Sequence, residues 1–407
     1  MLSPTEALFT AALGLTPPWY CKHSDFSTDK SRLDLWLDFP TGSRFICPTC
    51  EAADLPVHDT VDKQWRHMDF FQHMCYLHAR VPRVRCEQCG VLQVAVPWAR
   101  PGSGFTLLFE ALVMSMAPHM PVAAIARQVR EHDTRLWRIL EHHVERARAR
   151  ADFAEVTAVA IDETSRRRGH RYVSLVADVK KRRVLFVTKG KGQQVIARFV
   201  RDLEAHGGEA SAIRHVSMDM SPAFVAGVRE SLPAAEITFD RYHIMKLAND
   251  ALDDVRKAEA RENPYLKGSK YLWLRNPKNL SVTQELQLRE LRTLTHKTAN
   301  AYGIVQGLRT FFELPNALAE PYLKRWYQWA RSSRIDAMKE FALTVKRHWD
   351  GILRFHETNM TAGFLEGINS LVQAAKRKAR GYRTTENLIT MIYLIAGKLD
   401  FQLTHLK

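Results

Sequence analysis

Three features of the 407-residue sequence predict a multidomain α+β chain. Two Cys-X-X-Cys knuckles stand near the N-terminus. A block of helical periodicity follows at 105–150. Beyond it, strand-like and helical patterns alternate in the order β-β-β-α-β-α-β-α, with carboxylates at the ends of the first and fourth strands. Each feature implies one module. They are an N-terminal region with a zinc ribbon over 1–100, a helix-turn-helix over 105–150, and an RNase H-like α/β catalytic core. The first stretch of the core covers 155–247 and its C-terminal helical stretch 358–407, with a helical insertion at 248–357.

Composition narrows the partner. The hydrophobic fraction of 46% is that of a globular chain and excludes global disorder. Lys and Arg number 59 against 44 Asp and Glu, a net charge of +15, which favours a polyanion such as nucleic acid. The start, Met1 to Leu15, lacks a basic segment and contains Glu6. The apolar stretches Phe105 to Ala117 and Leu388 to Ala396 are too short to span a bilayer. A cytoplasmic protein with no membrane partner is expected, and its six cysteines should be reduced.

Cys47-Pro-Thr-Cys50 and Cys86-Glu-Gln-Cys89-Gly90 carry the first module. Each knuckle presents two thiolates at a tight turn, and two knuckles complete a tetrahedral zinc site. The alternating run Tyr76 to Arg85 leads into the second knuckle as a strand would. Cys21 and Cys75 are left as core residues, and His67, His73 and His78 as DNA-facing or core groups.

In the second module, Phe105 to Met116 presents Leu108, Leu112 and Met116 as an apolar face. Arg100-Pro-Gly-Ser-Gly104 before it reads as a linker. Pro121 to Val129 makes a short helix, Glu131-His-Asp133 a turn, and Thr134 is placed to cap a second helix through Val144. That second helix buries Leu136, Ile139, Leu140 and Val144 and exposes Arg135, Arg138 and His142 toward DNA.

In the core, the apolar run Thr157 to Ile161 delivers Asp162-Glu163. A strand with Val173, Leu175 and Ala177 on one face and a second at Val184 to Val187 follow, joined by the basic turn Lys180 to Arg183. A helix burying Val195, Phe199 and Leu203 ends at Gly207-Gly208. The strand Ile213 to Met218 then delivers Asp219, and Ser221-Pro222 starts a helix. The strand Glu236 to Phe239 delivers Asp240, followed by His243. The third carboxylate is expected from a later helix. There Glu366 shares a face with Asn369, Gln373, Lys376 and Arg377, and Gly363 and Gly367 suggest close approach of another element. Asp178 reads as a surface turn residue, and Asp240, Asn369 and His243 as supporting groups.

These segments resemble a known family. The carrying residues are Trp65-Arg-His-Met-Asp69, Arg80-Val-Pro-Arg-Val-Arg-Cys86, Ile161-Asp-Glu-Thr-Ser165 with Arg168-Gly-His170, Met218-Asp-Met-Ser221, Phe239-Asp-Arg-Tyr-His243, and Glu366-Gly-Ile-Asn369 followed by Lys376-Arg-Lys-Ala-Arg-Gly-Tyr382. The chain is similar to the DDE transposases of bacterial insertion sequences, in their ISL-three family. The resemblance implies that Asp162, Asp219 and Glu366 are the catalytic triad, holding two Mg²⁺ ions, and that the four cysteines hold a structural Zn²⁺. It implies metal-dependent cleavage at terminal inverted repeats and strand transfer into target DNA, by a homodimer on double-stranded DNA. Arg166, Arg167, Arg168, Lys376, Arg377 and Arg380 would neutralise phosphates near the site. The alternatives are a non-catalytic DNA-binding regulator and an RNase H-like nuclease derived from a transposase.

Overall fold

The computed structural model describes residues 3–167, 171–358 and 363–403. The chain divides into two compact units, Met1–Ala147 with Asp400–Lys407, and Arg148–Leu399. Among the described residues, no helix is long and apolar enough to cross a membrane.

The first unit opens with α1 (Pro4–Ala12), started by a capping box between Ser3 and Glu6. Strands β1 (Tyr20–Ser27), β2 (Arg32–Asp38), β3 (Arg44–Phe45), β4 (Leu55–Phe70), β5 (His73–Cys86) and β6 (Gly90–Gln93) follow. They form one sheet in the order β1-β2-β5-β4-β3, with β6 paired to β5. Alternation sets the inner face: Leu33, Leu35 and Leu37 of β2 and Cys75, Leu77, Ala79 and Val81 of β5 are buried with Trp19, Trp65 and Trp98. Cys21 and Cys75 lie in this core without disulfide partners, and burial pushes their thiols up to about 11 and about 12. His67 is also a core residue. It pairs through Nδ1 with Thr106 Oγ1 at 2.9 Å, and burial, with Arg66 close by, lowers its pKa to about 4.

Three helices complete the unit: α2 (Leu107–Met116), α3 (Val122–Val129) and α4 (Asp133–Ala149), the last running into the second unit. In α2 the buried residues are Phe109, Glu110, Ala111, Val113 and Met114, so its inner face is rotated from the expected Leu108, Leu112 and Met116. The reason is Glu110, which hydropathy places outside. Its carboxylate is fully buried and accepts from Arg100 Nε at 2.9 Å, Ser103 Oγ at 2.6 Å and His143 Nε2 at 2.8 Å. The expected linker is therefore pinned to α2. The α3–α4 turn lacks the usual glycine because Arg130 itself adopts the left-handed conformation, φ 56°, at the end of α3. The helix after it starts at Asp133, one residue ahead of the expected Thr134 cap.

The second unit holds β7 (Ala158–Arg167), β8 (Arg171–Asp178), β9 (Arg183–Lys189), α5 (Gln194–Ala205), β10 (His215–Met218), α6 (Pro222–Ser231), β11 (Glu236–Phe239) and α7 (Arg241–Glu259). The sheet order is β11-β10-β7-β8-β9. The first three strands in sequence are antiparallel, and β10 and β11 run parallel to β7. This is the RNase H-like arrangement, with β7 central. Val195, Phe199 and Leu203 of α5 are buried as expected. Gly208 follows that helix because a Cβ there would lie 2.9 Å from the Phe153 carbonyl. Asp178 is not on the surface: it is 2% exposed and accepts from the backbone N–H groups of Lys180 and Lys181, shaping the β8–β9 turn.

Helices α8 (Lys270–Leu274), α9 (Val282–Leu294), α10 (Lys297–Phe311), α11 (Asn316–Ser332), α12 (Asp336–Arg347), α13 (Trp349–Leu353) and α14 (Phe355–Thr358) make the insertion. The chain ends with α15 (Gly363–Lys378) and α16 (Thr385–Ala396). The insertion is not a separate body. Trp273, Phe311, Trp326 and Phe341 belong to the same buried cluster as Ile161, Phe199 and Val216 of the sheet layer. At the join, Gly351 of α13 lies against Phe239, where a Cβ would meet the ring at 2.6 Å.

The Glu110 cluster yields a stability prediction. Burial alone would raise the Glu110 pKa, but hydrogen bonds from His143, Ser103 and Arg100 overcome that and hold it below the usual glutamate range. A lowered folded pKa means that its contribution is present above the unfolded value and is lost as pH falls through the folded one. Glu110→Ala leaves the Arg100 charge without its partner and is expected to destabilise the protein by about 3 kcal/mol at neutral pH. Thermal unfolding checks this, and the gap from wild type should narrow in acid.

Candidate functional site

The carboxylate site is built on β7. Asp162 does not end the strand, as hydropathy suggests. The strand continues to Arg167, and Asp162 sits mid-strand opposite Leu175 of β8. Its Oδ1 accepts from the Glu163 backbone N–H at 2.7 Å and lies 3.9 Å from His243 Nε2 of α7. Asp219 follows β10, the parallel neighbour of β7, and its Oδ1 accepts from the Ser221 backbone N–H at 3.0 Å. The Ser221 hydroxyl makes no capping bond to α6. Asp240 follows β11, is 6% exposed, and caps α7 through the Tyr242 N–H at 3.1 Å.

Electrostatics mark the group. Burial raises the Asp162 pKa; the Glu163 N–H and His243 oppose this, while the charges of Asp219 and Asp240 add to it. Burial likewise raises Asp240, against the pull of its Tyr242 hydrogen bond and of His243. Glu163, to which the sequence pattern assigns no role, is half-buried and also raised, by burial and by Asp219 and Asp162, with Lys191 opposing. Carboxylates crowded in this way favour a proton or a cation among them.

One face of α15 closes the site. Asn369 Nδ2 donates to Asp162 Oδ2 at 2.5 Å, Gln373 Nε2 to Thr164 Oγ1 at 2.8 Å, and Lys376 Nζ to the Ser165 carbonyl at 2.7 Å. Lys376 is thus half-buried and engaged with β7, while Arg377 and Arg380 are exposed. The second amide atom of Asn369, Oδ1, is buried and without a partner, an oxygen acceptor left beside the carboxylates. Such an oxygen donor set suits a hard divalent cation. Glu366 lies one turn before Asn369 and is exposed. Gly367 beside it faces open space, against the expected close approach. Among the described residues, the carboxylates do not converge to ligand spacing around one point. Arg168 and the side chains of Arg166 and Arg167 lie outside the described residues.

The cysteines do converge. Cys47 and Cys50 follow β3, Cys86 ends β5 and Cys89 precedes β6, and their four Sγ atoms lie within 4.8 Å of one another. Gly90 takes φ 76° at the turn into β6. The backbone N–H groups of Cys50 and Thr49 pull the Cys47 thiol down to about 7, toward the thiolate a metal needs. Four sulfurs at this spacing fit a closed tetrahedral site.

On α4, Leu136, Ile139, Leu140 and Val144 are buried as expected. Arg138 is exposed. Arg135 pairs with Glu131 at 2.5 Å and lies 4.3 Å over the Phe105 ring, with its side chain 42% exposed. His142 is half-buried, with its Nε2 enclosed.

Family comparison agrees with this layout module by module. Residues 43–89 match the zinc-finger of the IS204/IS1001/IS1096/IS1165 transposases, residues 94–144 the helix-turn-helix domain of transposase family ISL3, and residues 159–392 that family's transposase domain. The chain belongs to the ISL3 (ISL-three) family of transposases. Among curated relatives, it is 28% identical over 365 residues to the transposase for insertion sequence element IS1001 of Bordetella parapertussis, covering 85% of this chain and 87% of the relative. It is 29% identical over 372 residues to the transposase for IS1557 of Mycobacterium tuberculosis, covering 82% of each. The ISL3 transposase match begins at β7 and runs through α15 into α16, so it spans the carboxylates, the insertion and the Asn369 face.

The cysteine geometry sets an expectation for metal content. Replacing Cys47 and Cys50 with Ser should remove about one zinc per chain, measured by elemental analysis of the purified protein. A wild-type protein without zinc would contradict it.

Proposed function

We propose that this ISL3-family chain binds the terminal inverted repeats of an insertion sequence as a homodimer and catalyses DNA cleavage and strand transfer with Asp162, Asp219 and Glu366. The observation that carries the reading is the Asp162 site. A half-buried carboxylate on the central strand is held by Asn369 from the C-terminal stretch of the core, with Asp219 close enough to raise its pKa. Two Mg²⁺ ions held by the three carboxylates would activate water or a DNA 3′-hydroxyl and stabilise the leaving oxygen.

The chain's own groups do the positioning. Asn369 fixes the orientation of the Asp162 carboxylate, and its Oδ1 adds an acceptor. His243 Nε2 stands 3.9 Å from Asp162 Oδ1, on the side of the site formed by α7. Asp240 is occupied by the α7 cap, which favours a supporting role, and Glu366, one turn before Asn369 on α15, is left as the third ligand. Arg377 and Arg380 stand exposed at the far end of α15, placed for phosphates. The cysteine cluster holds a structural Zn²⁺ that folds the ribbon, and Arg138 on α4 contacts the repeat.

The decisive assay uses a labelled transposon end with Mg²⁺ or Mn²⁺. Glu366→Gln, Asp162→Asn and Asp219→Asn should each abolish cleavage and strand transfer, with end binding nearly intact. Combining two should add little, since groups acting as a unit are not additive. Asp240→Asn should keep measurable activity. Robust cleavage by Glu366→Gln beside an inactive Asp240→Asn would move the third ligand to Asp240. End binding without cleavage by wild type would mark a regulator, and cleavage without strand transfer a nuclease.

A second measurement concerns salt. Changing Arg377 and Arg380 to Ala should reduce the slope of log affinity against log salt by about 2 and leave sequence preference intact. An unchanged slope places these residues away from DNA.

A further inference from the structure

The β4–β5 hairpin ends in a two-residue loop, Phe71-Gln72, between the paired residues Phe70 and His73. Phe71 takes φ 53° there, in the left-handed region. The first position of such a loop normally holds glycine or asparagine, since a side chain with a bulky ring is strained at positive φ. Phe71 is also 82% exposed, more than any other large hydrophobic side chain among the described residues. Turn geometry disfavours an aromatic ring at this position, and little of the ring is buried.

The ring is nevertheless held. Phe71 packs edge-on against Phe70 with centroids 4.7 Å apart, and Phe70 packs edge-on against Phe9 at 5.9 Å and Phe26 at 6.4 Å. The hairpin tip is tied to the helix-turn-helix of the same unit. Arg130, the left-handed residue in the α3–α4 turn, donates to the Gln72 carbonyl at 2.9 Å and pairs with Asp69. The buried Arg66 pairs with Asp69 from the other side and reaches the Val129 carbonyl at 3.5 Å. The tip is therefore fixed at the turn that precedes α4, the helix that would enter the major groove N-terminal end first. Arg127, in the last turn of α3, is exposed.

We infer that the β4–β5 tip is a second DNA-contacting element, with Phe71 entering a base step next to the sequence read by α4. An apolar wedge held rigidly beside a recognition helix can unstack a pair of neighbouring base pairs and bend the duplex. The occupant is duplex DNA: the ring is exposed on a tip tied to the turn of a helix-turn-helix, and Arg130 of that turn, 39% exposed, is the cation beside it for a neighbouring phosphate. This inference rests on the proposed binding of repeats by α3 and α4.

The test uses a terminal inverted-repeat duplex carrying 2-aminopurine at successive steps, with the full-length wild type, Phe71→Ala, Phe71→Leu and Arg138→Ala. Wild type should raise the fluorescence severalfold at one step, and dyes on the duplex ends should report a bend. Phe71→Ala should lose both signals and bind roughly tenfold more weakly, the order expected for a lost base–aromatic contact. Phe71→Leu should retain most of each signal, and the thermal midpoint of Phe71→Ala should match wild type. Arg138→Ala should weaken binding whatever the role of Phe71. Normal binding and bending by Phe71→Ala, with Arg138→Ala impaired, would overturn the wedge and leave α4 as the reader. A changed sedimentation coefficient of DNA-free Phe71→Ala would overturn it in favour of a protein–protein contact. Wild type that fails to retain the duplex would overturn both the repeat-binding reading and the inference built on it.

Discussion

A carboxylate on the central strand of a sheet loses water to the layers on either side, and β7 carries one at Asp162. Much of the second unit answers that single cost. The Glu163 N–H and the Asn369 amide supply hydrogen bonds, His243 Nε2 stands 3.9 Å away, and Asp219 and Asp240 sit close enough to make the deprotonated state dearer still. A fold selected for stability alone would place a neutral residue there. On the proposed reading, a cation arriving from outside neutralises that charge.

Charge is divided unevenly along the chain. Residues 1–147 are close to neutral, so the basic excess lies almost wholly in 148–407. Within the first unit many arginines face acids: Arg32 with Asp34, Arg66 with Asp69, Arg83 with Asp59, Arg100 with Glu110 and Arg135 with Glu131. These guanidinium groups organise sheet and helices and have little charge left over for phosphate. The first unit is therefore suited to contacts that depend on shape and on particular bases, and the second to the salt-sensitive grip on the backbone. Zinc-ribbon and helix-turn-helix modules can then discriminate between sites without holding every duplex strongly.

Local pattern carried the reading of the sequence where local physics decides structure. The Cys-X-X-Cys spacing, the α5 stripe of Val195, Phe199 and Leu203, the Leu136–Val144 face of α4 and the strand order of the core were legible because periodicity and turn chemistry act over a few residues. Misreadings arose where distant partners decide. Glu110 faces inward because Arg100, Ser103 and His143 meet it there, so the apolar stripe of α2 was assigned to the wrong side. Asp178 is buried because two backbone N–H groups need an acceptor. In the candidate site, the placement of Asp162 and Asp219 on neighbouring strands followed from strand order. The hydrogen bond from Asn369 was not legible, because no periodicity relates positions that far apart in the chain.

That hydrogen bond joins residues 207 positions apart, and the apolar cluster of the insertion lies between them in sequence. Because Trp326 and Phe341 share a core with Phe199 and Val216, the sheet cannot finish packing until the insertion has been made. On the ribosome, β7 emerges long before α15, and Asp162 must wait for a partner made 207 residues later. The first unit depends on no such delay, apart from its last few residues. Synthesis of this chain therefore proceeds from the modules that recognise DNA toward those that would cut it, and a prematurely ended product could occupy a site but would lack the final helix of the centre.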